Sequence, residues 1–357
     1  MPSSYAAGFG TLKVLSINFL TKDQLLELAR AKNPAEIAQR LESTWYGPDI
    51  EAEASVYKPP ELVEVAVNRH LVSVNKSAML ACPFSRKSAL MAYLSKWDIE
   101  NIELIIAAKS LGRTLEQTEA YLVSSQHLPV SISATTIPMS ELKALLQLPD
   151  LEAVINYLVK FGYGAVLLQQ LGDFRKSGDL GIFSSALQNY YYSKLFSELR
   201  FLQGDEGVLR EYIRAEVSKR NILNLLKSRE SKIERDIFAK HLIDGGLIDK
   251  ASFLEVYQTP DLGDIAKRFE KWFDLTSALE KYGQTGNLTA FEVAMDRLIV
   301  GKYLKEFRSV SLSLTAVFAY VFQAEFERQN IRRITYAKQY GMSEDYIRSI
   351  ILSSDPT

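Results

Sequence analysis

A short block of sequence occurs three times in this chain, and that recurrence limits the fold more than any other feature. The pair Asn-Ile stands at Asn101-Ile102, Asn221-Ile222 and Asn330-Ile331, at intervals of 120 and 109 residues. Four residues beyond each Asn come Ile105, Leu225 and Ile334; five beyond come Ile106, Leu226 and Thr335. Eight beyond come Lys109, Arg229 and Lys338; eleven beyond come Gly112, Lys232 and Gly341; twenty-one beyond come Leu122, Leu242 and Ile351. Positions one, four and five after the Asn fall on one stripe of a helix, apolar except at Thr335. The basic residue closes the stripe, where positive charge suits a helix C-terminus. Gly112 and Gly341 then supply a left-handed stop. Lys232 occupies that place in the second copy, so a differently built turn is expected there. Thr114 and Gln117 have the form of a capping box. Each block thus predicts helix, tight turn, helix.

Two further elements recur in the same order. Thr21 to Gly47 resembles Met139 to Gly164 and Asp249 to Phe273. Inside these lie Ile37 and Leu41, Val154 and Leu158, Ile265 and Phe269, each pair four apart on one helix face. Pro34, Pro149 and Pro260 stand at the starts of these helices, where a missing N–H is harmless. Ala66 to Leu71 likewise matches Ala186 to Tyr191 and Ala294 to Ile299. Three elements in register three times predict a triplicated helical unit of about a hundred residues. The boundaries are expected at 1–134, 135–246 and 247–357, marked by the connector Pro129–Ala134 and by Gly245-Gly246. Units of this size exceed the ~34–47 residues of common helical repeats. Each can close its own small core, and three can stand about a pseudo-threefold axis around a central cleft.

Composition agrees with an all-α fold. The chain of 357 residues has 18 glycines and 11 prolines, about 8% against a usual ~12%. That leaves few turns for a many-stranded sandwich or barrel. Net charge is −1, so no basic field draws nucleic acid. Cys82 is the single cysteine; it excludes an internal disulfide framework and any zinc site needing two cysteines, and suits a reducing cytoplasmic setting. No leader and no apolar run of ~18 residues is visible.

Reactive chemistry is sparse. His70, His127 and His241 pair with nothing at helical spacing, which is the pattern of surface or core histidines, not metal ligands. Gly301-Lys302 is followed by Tyr303, with Asp296 where a phosphate loop needs glycine. Gly162-Tyr163-Gly164 lacks the third glycine of a dinucleotide fingerprint. No catalytic, cofactor-binding or metal site is assigned, and no small-molecule substrate. Arg328, Arg332, Arg333 and Lys338 read as a solvated face, or else as a contact for an acidic partner. Tyr190-Tyr191-Tyr192 reads as helix packing, since base stacking would want a basic groove. The repeated Asn101, Asn221 and Asn330 read as structural, their amides bonding backbone between packed helices.

The residues also carry a resemblance. The ordered set runs from the helix at Tyr5 and Phe19 to Lys22 through Leu41 to Gly47, Trp97 to Ile102, Ala108 to Gly112, Tyr212 to Glu216, Phe291 to Arg297 and Glu325 to Arg332. Across essentially the whole chain this resembles the C subunit of the archaeal A-type (V-type) ATP synthase, whose family includes the d subunit of the vacuolar ATPase. Departures are Ser228 to Lys232 in place of an Ala-Lys…Gly pattern, and Lys96 where the other copies have Glu216 and Glu325. The resemblance implies three similar helical domains forming a funnel with pseudo-threefold symmetry. It implies a non-catalytic central-stalk rotor component on the cytoplasmic face of the membrane, held between the axle, made of the D and F subunits, and the proteolipid ring. It would transmit torque between ATP chemistry and proton or sodium transport, touch the membrane only through the ring, and use no cofactor. Two other readings stay open: a helical adaptor in an unrelated soluble complex, and an all-α enzyme with perturbed titratable groups clustered in its cleft.

Overall fold

The computed structural model describes residues 5–124 and 136–352. His127, the connector Pro129–Ala134 and the boundary expected after residue 134 lie outside these residues. Among the described residues every regular element is helical and no strand occurs. In chain order the helices are α1 (Ala6–Leu15), α2 (Lys22–Ala29), α3 (Pro34–Glu42), α4 (Gly47–Glu53), α5 (Glu61–Ala81), α6 (Lys87–Leu94), α7 (Lys96–Ser110), α8 (Met139–Gln147), α9 (Leu151–Tyr157), α10 (Gly164–Leu168), α11 (Leu171–Ser177), α12 (Gly181–Leu199), α13 (Gly207–Glu230), α14 (Arg235–His241), α15 (Lys250–Val256), α16 (Leu262–Phe269), α17 (Thr276–Thr285), α18 (Thr289–Ile299), α19 (Lys305–Ser309), α20 (Leu314–Gln339) and α21 (Glu344–Ile350). They pack as two compact units. One draws on Met1–Leu168 with Val310–Ile351, the other on Gln169–Ser309 with Leu352–Thr357.

Local chemistry sets the helix starts. Thr21 and Gln24 form a reciprocal capping box on α2. Asn33 caps α3 with Pro34 in its first turn, Asp150 caps α9 just after Pro149, and Asp261 caps α16 just after Pro260. The paired residues Ile37/Leu41, Val154/Leu158 and Ile265/Phe269 are all buried, as their spacing predicts.

The helix stops correct one expectation. Gly112, Lys232 and Gly341 all have positive φ, at 63°, 53° and 67°. The hydrogen bonds match too. The amides of Gly112 and Arg113 donate to Lys109 and Ala108; those of Lys232 and Ile233 to Arg229 and Ser228; those of Gly341 and Met342 to Lys338 and Ala337. The turn at Lys232 is therefore the same Schellman-type turn as the other two, held in a left-handed conformation that a lysine adopts at some cost. A second expectation holds in part. Thr114 and Gln117 do exchange hydrogen bonds, but only a 3-10 turn, Glu119–Tyr121, follows, where the later copies have α14 and α21.

Behind each Asn-Ile pair the apolar stripe is buried, Thr335 included; its hydroxyl donates to the Ile331 carbonyl one turn back.

Candidate functional site

The repeated Asn ties a long helix to the chain that returns after the turn. Asn101 Nδ2 donates to the Val123 carbonyl at 2.7 Å, and the Val123 amide donates back to Oδ1 at 2.8 Å. Asn221 makes the same two bonds with Ile243, at 2.9 and 2.8 Å. In both copies the partner lies 22 residues on. An Asn side chain presents one donor and one acceptor side by side, which is what one extended residue needs to satisfy both its backbone groups.

Three residues before each Asn a second tie reaches the helix that opens another block: the following block for the first two copies, the first block for the third. The carboxylate of Asp98 accepts from the amides of Thr136 and Ile137, just before α8, and from the Tyr163 hydroxyl at 2.9 Å. The hydroxyl of Ser218 accepts from the amide of Ile248, just before α15. The carboxylate of Glu327 accepts from the amide of Leu20, just before α2, from the Tyr46 hydroxyl at 2.6 Å and from Trp45 Nε1 at 3.1 Å. The donating amides of Ile137, Ile248 and Leu20 each sit one residue ahead of the helix's cap. Tyr46 and Tyr163 are matched by Phe273 in the third block. Where the ring has no hydroxyl to give, the acceptor is a serine; where it has one, a carboxylate. Burial raises the pKa of Asp98 against these donors and the Thr136 hydroxyl and pushes Glu327 up to about 7.

In the first two copies a third tie comes from the basic residue near the helix end. Lys109 Nζ donates to the Leu146 and Leu148 carbonyls at the end of α8. Arg229 Nη2 donates to the Pro260 carbonyl at 2.9 Å. These side chains cap the next block's carbonyls as well as ending their own helix.

Charged groups line the same helices. Lys219 on α13 meets Asp296 on α18 at 2.8 Å and Glu216 at 2.9 Å. Burial disfavours its charge, but the two carboxylates outweigh it and its pKa is raised. Lys96 on α7 meets Glu325 on α20, and both bond the Tyr93 hydroxyl at 2.7 Å. The departure at Lys96 is thus complementary: a third glutamate there would leave Glu325 without its cation.

Two members of the basic cluster on α20, Arg328 and Arg332, turn to partners within the fold. Arg328 is 7% exposed; its Nε donates to Asn68 Oδ1 at 2.7 Å and its guanidinium lies over the Trp97 ring. Arg332 Nε donates to Glu64, which is 1% exposed. Both sit on a seam between α5 and α20: Arg328 is buried there, while Arg332 pairs with Glu64 and keeps 36% of its side chain exposed. The tyrosine run behaves as expected: Tyr191 and Tyr192 are buried and touch edge to face.

The histidines are held locally. His70 Nδ1 lies 3.1 Å from Asp49, and His241 Nε2 lies 2.8 Å from Asp179. Among the described residues no cluster of His, Cys, Asp and Glu has the shape of a metal site. Cavities of about 260, 160 and 290 Å³ open on the two units. Asp98, Glu325 and Glu327, the carboxyls raised by burial, line none of these three. The clustering that an enzyme reading calls for is therefore found in packed helix seams, not around these openings. No described helix is long and apolar enough to cross a membrane.

Helices tied end to end by buried polar groups define an all-α class of protein. The profile of the ATP synthase (C/AC39) subunit family matches residues 10–350. The chain is 36% identical to the A-type ATP synthase C subunit of Thermoplasma volcanium and 34% identical to that of Thermoplasma acidophilum, over 99% of each chain. It is 24% identical to the A-type ATP synthase C subunit of Methanocaldococcus jannaschii, over 92% of this chain and 82% of that one. The chain belongs to the ATP synthase (C/AC39) subunit family.

Proposed function

We propose that the protein is the non-catalytic central-stalk component of an A-type ATP synthase. In this reading it joins the axle, made of the D and F subunits, to the proteolipid ring on the cytoplasmic face of the membrane. It passes torque between ATP synthesis or hydrolysis in the catalytic head and the movement of protons or sodium ions. The observation that carries the reading is the match to A-type ATP synthase C subunits over 99% of the chain. Chemistry supports it: the buried ionisable groups described above are committed to partners within the fold. A coupler needs stiffness and broad protein contacts, and ordered backbone ties between helices serve stiffness.

The division into three similar units, 1–134, 135–246 and 247–357, belongs to the same proposal. Three Schellman-type turns with one hydrogen-bond pattern support it, as do three ties from the residue three before each Asn to the start of another block.

Gel filtration of the purified protein with the D and F subunits tests the reading. Co-elution in one peak is expected. An adaptor of another complex would elute alone, and would stay in the supernatant when membranes are sedimented.

A further inference from the structure

We propose that Glu327 is a pH-responsive clasp, which holds the start of the chain against α20 when neutral and loosens when ionised. The geometry singles it out among the three ties made three residues before each Asn. Its carboxyl gathers Leu20, Trp45 and Tyr46 from the first fifty residues onto a helix near the other end of the chain. α2 and α3 both pack on α20, so this one side chain sits at the centre of the contact that brings the two ends of the sequence together within their unit.

The surroundings decide the sign. Glu327 is 4% exposed, and among the described residues no cation pairs with it. The groups facing it are Tyr46 and Trp45 after α3 and the Leu20 amide before α2. Behind the two rings stands His70 of α5, with ring centroids 4.2 Å from Trp45 and 4.5 Å from Tyr46. Beyond it is Asp49 of α4. Tyr320, two turns earlier on α20, is raised to about 12, first by burial and slightly by Glu327 itself. The charges on neighbouring elements are engaged elsewhere: Arg40 with Glu36, Arg348 with Glu344, Arg332 with Glu64. Three neutral donors do not repay the loss of water around a full charge, and burial accordingly lifts the carboxyl to about 7. When neutral, the carboxyl can donate a hydrogen bond to the Tyr46 hydroxyl oxygen, which accepts as well as donates.

A raised carboxyl pKa means that the folded state binds the proton more tightly than the unfolded chain does. Its stabilising effect is then fully present below the ordinary value of 4.5 and is lost as pH rises through about 7. The molecule carries its own control. Ser218 makes the equivalent tie to Ile248 with a hydroxyl that does not titrate in this range.

Hydrogen exchange on the full chain between pH 5 and pH 8, corrected for intrinsic rates, tests the clasp. Protection of the Leu20 amide is expected to fall by ~10-fold or more as pH rises, each pKa unit being worth a factor of ten. Protection of the Ile248 amide is expected to stay constant, and Glu327→Gln is expected to remove the pH dependence at Leu20. The proposal is overturned if Leu20 and Ile248 respond alike, or if protection at Leu20 rises with pH. If Glu327→Gln does not fold, the comparison of the two amides within the unmodified protein still decides.

Discussion

At the scale of single residues, an asparagine does the work of a short piece of backbone. Asn221 satisfies both polar groups of Ile243 inside the core. Asn221→Ala would orphan a buried N–H and a buried C=O, each costing about 1–3 kcal/mol. A loss of about 2–4 kcal/mol is therefore expected in urea unfolding; a loss below ~0.5 kcal/mol would show that water replaces the amide freely. Lys232 argues in the other direction. A left-handed φ costs a non-glycine residue about 1 kcal/mol, so Lys232→Gly should raise stability by about that amount, seen as a higher thermal midpoint. Laying the three copies in register does not predict this, because nothing about lysine itself signals positive φ; the shared turn shows only in the backbone.

Helices and their seams show why part of the molecule was legible and part was not. Apolar stripes at helical spacing, and prolines and capping residues at helix starts, act within a few residues, and the sequence displays them directly. Arg328 and Arg332 look like one turn of a wet helix face because their partners, Asn68 and Glu64, stand about 260 residues earlier. Those partners in turn look like mere interruptions in an apolar helix. Only the long-range packing of α5 on α20 joins the two halves of the pattern. The same holds for Lys96, whose exchange of charge has meaning only beside Glu325, 229 residues on. Lys96→Glu should set two carboxylates around the Tyr93 hydroxyl and cost about 3–5 kcal/mol, as breaking a buried pair does. The exchanged pair Lys96→Glu with Glu325→Lys should recover at least half of that in a double-mutant cycle. No recovery would mean that α7 and α20 are held by apolar packing alone.

For the whole molecule, the scarcity of glycine and proline follows from how the few breakers are used. Gly112 and Gly341 close helices at matching places, and Pro34, Pro149 and Pro260 open them. Long helices tied by Asn, by the acceptor three residues before it and, in the first two copies, by the basic residue near the helix end leave few places to bend, as the proposed torque-bearing role would require. The proposed role makes a sharp demand on the assembled machine. Membrane vesicles carrying the ATP synthase can be stripped of this protein and then given it back, while ATP hydrolysis and ATP-driven ion uptake are followed together. If the protein couples axle to ring, its removal should leave hydrolysis by the head largely intact and abolish ion uptake, with uptake returning on re-addition. Ion uptake that persists at its original ratio to hydrolysis without the protein would contradict the account.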